Sequence, residues 1–175
     1  TCVREAMAAV APAVPGRQFL AFDALTAAAF VAFAEENVDV QIVEVGLGGT
    51  LDSTNVFGPR AGTPAPREHI VVLTPISLEH TAILGGTIAE IAAQKAGIIT
   101  PGATVIVAPQ RESALDVFRA VAAERGATAV EVAASCQIAR MSASSEGQEF
   151  RLKTARAAYS ARLPLIGRHQ LDNAA

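Results

Sequence analysis

Four short stretches carry side chains able to do chemistry: Glu44 ahead of Gly46-Leu47-Gly48-Gly49, the polar run Asp52, Thr54 and Asn55, the pair Glu79 and His80, and Lys95. An acid closing a buried apolar strand is costly unless it meets a cation or hydrogen-bond donors. Glu44 is therefore either a ligand or a carboxylate that caps the N–H groups of the next loop. Gly46, Gly48 and Gly49 can bring backbone amides close to a phosphate, or they can make a tight turn that needs positive φ. The pattern GxxxxGK[ST] occurs nowhere in the 175 residues. Asp52, Thr54 and Asn55 offer polar atoms to a ligand or close Asx-type turns. His80 suits a metal ligand, a general base or an exposed loop histidine. Lys95, taken alone, is a cation at the negative end of a helix dipole.

The elements that must position these groups follow from periodicity. Phe22, Leu25, Thr26, Ala29, Phe30 and Phe33 recur at helical spacing and predict a helix through Glu36, buried on most of its surface and stopped at Asn37. VDVQIVE (38–44) reads as a strand ending in the glycine loop, and HIVVL (69–73) as a strand ending in Thr74-Pro75. Thr87 and Glu90 have capping-box spacing, and Gly97 with Pro101 closes the helix that follows. TVIVA (104–108) is a strand, 112–125 an amphipathic helix ended by Gly126, and 128–132 a short strand. Strands alternating with helices imply an α/β fold, a mostly parallel sheet flanked by helices on both faces. From Cys136 the chain changes to QIARM, EFRLKT and AYSARLPL, antiparallel strands of a small sheet near the C-terminus. Residues 1–132 then form the parallel part and 133–164 the small sheet of one partial domain (1–164), with 165–175 leading onward. Residues 58–68 (GPRAGTPAPRE) read as a surface loop. In an open parallel sheet ligands bind outside the carboxyl ends of the strands, where Glu44, the glycine loop and residues 74–80 converge.

Composition narrows the function classes. A chain of 18.0 kDa that is 51% hydrophobic and 18% charged has one well-buried core and is not disordered. Its most apolar stretch, 24–34, is broken by Thr26 and falls short of the roughly 18 to 20 residues that span a bilayer. A net charge of -3 provides no basic field for nucleic acid. Cys2 and Cys136 show no CxxC spacing, and the first ten residues show no signal peptide, which together predict reduced thiols and a cytoplasmic location.

The ordered set EVGLGG (44–49), LDSTN (51–55), SLEHT (77–81), LGGT (84–87), KAGII (95–99), APQ (108–110) and GRHQLDNA (167–174) resembles the folylpolyglutamate synthase/dihydrofolate synthase family of the Mur ligase superfamily, from about Phe22 to Ala175. The resemblance implies an ATP-dependent ligase adding L-glutamate to a folate or dihydropteroate carboxylate through an acyl phosphate, with magnesium. It places Glu44 and His80 as magnesium ligands and Lys95 as a carbamate toward a second metal, with His80 and Lys95 catalytic. It places Gly48, Gly49, Asp52, Thr54 and Asn55 beside the phosphates, and His169 and Asn173 near the nucleotide. The chain departs from the family at Thr50 (usually Arg), Glu79 (Asp), Asp23 (Glu) and Thr100 (Lys), and lacks the P-loop and the C-terminal domain. Loss of the cations at 50 and 100 is expected to weaken phosphate contacts. The isolated chain is expected to be inactive. The alternatives are a non-catalytic binding module of the same fold and a cell-wall Mur ligase central domain.

Overall fold

A computed structural model describes residues 20–57 and 69–175, together with residues 4, 5 and 8. Cys2 and the loop expected at 58–68 lie outside the described residues. Two units divide the chain, Thr1–Val56 and Phe57–Ala175.

In the first unit the expected helix forms as α1 (Ala21–Glu35). Asp23 accepts the Leu20 N–H at 2.9 Å, satisfying an amide that the first turn leaves without a partner. Asn37, at φ 50°, turns the chain out of the helix in the left-handed region that asparagine tolerates. Two expectations fail here. Only Ala28 of α1 is buried, and Phe22 and Leu25 are exposed. Residues 38–44 form no strand: a strand exists through its ladder, and this segment has none among the described residues, leaving Ile42 91% exposed.

The second unit holds the parallel sheet. β1 (Ile70–Leu73), β2 (Thr104–Val107) and β3 (Thr128–Glu131) lie in the order β1-β2-β3, with Ile70 opposite Thr104 and Thr104 opposite Thr128. Helices α2 (Thr81–Leu84), α3 (Ile88–Ala96) and α4 (Glu112–Glu124) connect the strands, and α5 (Val132–Ser135) follows β3 directly. The α3 capping box forms as expected. The Glu90 N–H donates to the Thr87 hydroxyl at 3.2 Å and the Thr87 N–H to the Glu90 carboxylate at 3.0 Å. Helix α4 buries Ala114, Phe118 and Ala122, spaced four apart, and Gly126 at φ 60° ends it. Val71, Leu73, Val105, Val107, Ile91, Ile99 and Phe118 meet in one core. Each such side chain stabilises the fold by roughly 1.5–3 kcal/mol. Along β1 the alternation leaves Ile70 and Val72 exposed, so its second face is uncovered.

The small antiparallel sheet also forms: β4 (Gln137–Ser144), β5 (Gly147–Lys153) and β6 (Ala158–Leu163), with β5 in the middle. Helix α6 (Arg168–Ala174) follows and buries Leu171.

Candidate functional site

The glycine loop of the first unit closes on one carboxylate. Asp52 accepts from the Leu47 N–H at 2.8 Å, the Thr54 N–H at 3.0 Å and the Thr54 hydroxyl at 2.5 Å. Burial pushes its carboxyl up, but the Thr54 hydroxyl and the N–H groups of Leu47, Thr54 and Gly46 outweigh that and hold it below the usual range. The bond to the N–H two residues on is an Asx turn. Thr54 is buried, and Asn55 donates to the Thr50 carbonyl oxygen at 3.3 Å. Gly48 (φ 73°) and Gly49 (φ 146°) are buried in the positive-φ conformations a tight turn needs. A Cβ on Gly46 would fall 2.7 Å from the Phe22 ring, so this loop packs against α1 and a larger residue at 46 would displace that ring. The Ser53 hydroxyl donates to Asp23, giving the aspartate found in place of the family's glutamate two tasks, cap and tether. Glu44 is exposed, with no hydrogen-bond or ion-pair partner among the described residues. The cost of burying an acid, which first singled it out, therefore does not apply. A free carboxylate is nonetheless the donor a hard cation takes.

In the second unit, the loops at the carboxyl ends of β1 and β2 are tied by Gln110. Its amide donates to the Thr74 carbonyl oxygen at 2.6 Å and accepts the Ile76 N–H at 2.9 Å. The segment so held leads to Glu79 and to His80, which is exposed and takes φ 49° where it caps α2. Lys95, in the last turn of α3, pairs with Glu79 at 3.4 Å. Taken alone Lys95 is a helix-end cation, and the resemblance implies a carbamate there; the structure gives it a carboxylate partner, Glu79, from the position where the resemblance implies Asp. Within this unit an exposed imidazole and a paired ammonium do not make a magnesium site. No group of three or more His, Cys, Asp or Glu able to hold a metal exists among the described residues.

Thr100 lies away from these loops. It is buried, and its hydroxyl lies 2.5 Å from Nδ1 of His69, the residue that enters β1 at the amino end. Burial pushes the His69 imidazole below its ordinary pKa, and Phe57 packs on the ring at 5.2 Å between centroids. A ligand crevice belongs to the carboxyl ends of the strands, so the change at 100 does not remove a cation from it.

A cleft of about 320 Å³, lined by Pro109, Val132, Cys136, Ile138, Arg168 and Asp172, opens beyond the carboxyl ends of β2 and β3. Its wall from α6 carries the Arg168–Asp172 ion pair at 3.3 Å. His169 and Asn173, four residues apart, share one exposed face of α6. Sequence reading gave Cys136 only a redox state and Glu131 no role. Glu131, at the carboxyl end of β3, receives both Arg119 Nε at 2.7 Å and Arg119 Nη2 at 2.9 Å, which holds its carboxyl low. No local motif marks that pairing, whose members lie 12 residues apart.

No helix among the described residues is long and apolar enough to cross a membrane. A dihydrofolate synthase/folylpolyglutamate synthase of Bacillus subtilis is 41% identical over 156 residues, 88% of this chain and 34% of that protein. A folylpolyglutamate synthase (FPGS) structure described as a complex with AMPPCP and folate superposes with a TM-score of 0.84 at 30% identity, covering 97% of this chain and 40% of that one. The Mycobacterium tuberculosis enzyme, described as complexed with ADP and AMPPCP, gives 0.79 at 34% identity, covering 99% and 40%. The chain spans about a third or less of the length of the curated relatives it matches, 34% and 31% for two of them. Residues 22–175 match the Mur ligase middle domain, and the chain belongs to that family.

Proposed function

We propose that these residues are the middle domain of an ATP-dependent ligase that joins L-glutamate to a folate or to dihydropteroate. The observation that carries this reading is the superposition, over 97% of the chain, on an FPGS described with AMPPCP and folate. The ordered motifs from Glu44 to Asn173 support it. In this reading a carboxylate oxygen of the folate attacks the γ-phosphorus of ATP and ADP leaves. The glutamate nitrogen then attacks the acyl carbon, phosphate departs with the C–O electron pair, and an amide remains.

The chain's own residues contribute orientation and charge. His169 and Asn173 approach the nucleotide from α6. The loop of Gly48, Gly49, Asp52, Thr54 and Asn55 stands beside the phosphates, its shape locked by the Asp52 hydrogen bonds. Such locking prepays the ordering that phosphate binding would otherwise cost. Glu44 and His80 are the proposed holders of Mg2+, which neutralises the phosphoryl oxygens when bound. Lys95 pairs with Glu79, the residue before His80.

The test uses the natural gene product that contains these residues, supplied with ATP, magnesium, labelled glutamate and either folate or dihydropteroate. ATP-dependent incorporation of label is expected. Glu44→Ala is expected to abolish it while circular dichroism is unchanged. No incorporation with either acceptor refutes the ligase reading. An unchanged magnesium dependence in Glu44→Ala removes Glu44 from the metal.

A further inference from the structure

Gln148 is a polar side chain at a buried strand position. It is 1% exposed, stands second in β5, and pairs with Leu163, the last residue of β6. Its amide nitrogen donates to two carbonyl oxygens of the segment that leaves β6, Leu165 and Gly167, at 2.9 Å each. Its own Oε1 is buried without a partner. Leaving an amide oxygen unpaired is unfavourable, and such a group in a folded chain calls for a physical reason. Rotating the amide would point the oxygen at both carbonyls, so the two acceptors fix its orientation.

The reason lies in what the two carbonyls belong to. Gly167 is the N-cap of α6, with φ 118° and ψ 150°. The segment is gripped from the preceding residue as well: a Cβ on Gly147 would stand 2.5 Å from the Leu163 carbonyl oxygen and 2.9 Å from Pro164 Cα. At the far end a Cβ on Gly167 would stand 2.7 Å from the His169 ring. The His169 ring thus lies beside the same glycine whose carbonyl oxygen Gln148 holds.

We propose that Gln148 is a positioning residue: its buried amide sets the direction in which Gly167 launches α6, and so places His169 and Asn173. The role in nucleotide binding rests on the reading of α6 under Proposed function; the grip on the helix does not.

The test compares Gln148→Met with the natural residue in the full-length gene product. Methionine has nearly the same volume and no donor. Hydrogen exchange of the α6 amides is read beside the ATP KM, the glutamate KM and kcat, with Asn173→Ala as a control. The expected result is faster exchange confined to residues 167–174, an ATP KM raised about 10-fold, and kcat and glutamate KM within about twofold, the signature of nucleotide binding lost equally from ground state and transition state. Gln148→Glu is expected to lose α6 protection at neutral pH and regain part of it in acid, where the protonated carboxyl again supplies a donor. Unchanged α6 protection in Gln148→Met overturns the grip, even if Asn173→Ala weakens ATP. Faster exchange with an unaltered ATP KM in both Gln148→Met and Asn173→Ala overturns the nucleotide reading, and with it the positioning role.

Discussion

The Glu79–Lys95 pair gives the most direct measure of how the departure from the family motif changes the site. The charges are 3.4 Å apart, with side chains 46% and 26% exposed. Coulomb's law at that separation gives about 1.2 kcal/mol in bulk water and about 5 kcal/mol at an effective dielectric of 20. Water reaches both groups, so the upper figure does not apply, and exposed pairs contribute roughly 0.2–1 kcal/mol. A double-mutant cycle of Glu79→Gln and Lys95→Met should therefore give a coupling of about 0.5–1 kcal/mol at low salt. In 1 M salt the screening length is about 3 Å, shorter than the pair, and the coupling should fall below about 0.3 kcal/mol. The assay is urea unfolding at 25 °C followed by circular dichroism. Intrinsic fluorescence adds a local probe: the chain has one Tyr and no Trp, so Tyr159 reports the unit that holds both charges. Glu79→Asp, with an arm shorter by one methylene, should lose most of the coupling. A value near zero at low salt refutes the pairing. One of about 2 kcal/mol or more that ignores salt refutes the argument from exposure.

Two further outcomes follow from the second unit. The Arg125 guanidinium donates to the Ala96 and Gly97 carbonyl oxygens at 3.4 and 3.1 Å, and to that of Ile99, so it caps the end of α3 from the end of α4. Arg125→Met should cost about 1–3 kcal/mol, at about 2–4 °C of Tm for each kcal/mol, and an unchanged melting temperature would contradict this. His69 has its folded pKa depressed below 6.5 by burial. The unfolded chain then binds more protons just below pH 6.5, so the contribution is complete above that value and is lost as the pH falls through the folded pKa. The urea midpoint of the natural chain should thus drop more between pH 7.5 and 5.5 than that of His69→Gln, and parallel curves would count against the shift.

What could be read from the residues divides along a physical line. The α3 capping box and the Gly126 terminus depend on neighbours within a few residues, and each of the three antiparallel strands pairs with the next one along the chain across a short turn, so their signals survive in the bare sequence. The segment 38–44 has equally good alternation and forms no strand, because its backbone needs a ladder partner that no local pattern supplies. The side chains that shape the loops are of the same long-range kind. Gln110 reaches across 34 and 36 residues, Gln148 across 17 and 19, and Arg125 across 26 to 29. Each makes at least two hydrogen bonds to backbone atoms, and although Gln148 shares the inward face of β5 with Phe150 and Leu152, a polar residue type gives no local sign of such burial. Position along a strand explains the remaining correction. A missing cation at Thr100 looked like a weakened phosphate site as long as only its distance from KAGII was known. Contact with His69 puts it at the entry of β1, whereas residues 74–80 leave that strand at the opposite end. A motif's chemistry therefore depends on which end of the sheet its residue reaches, and here the Gln110 amide ties the loops at the carboxyl end while the Arg125 guanidinium holds the end of α3 just before Thr100.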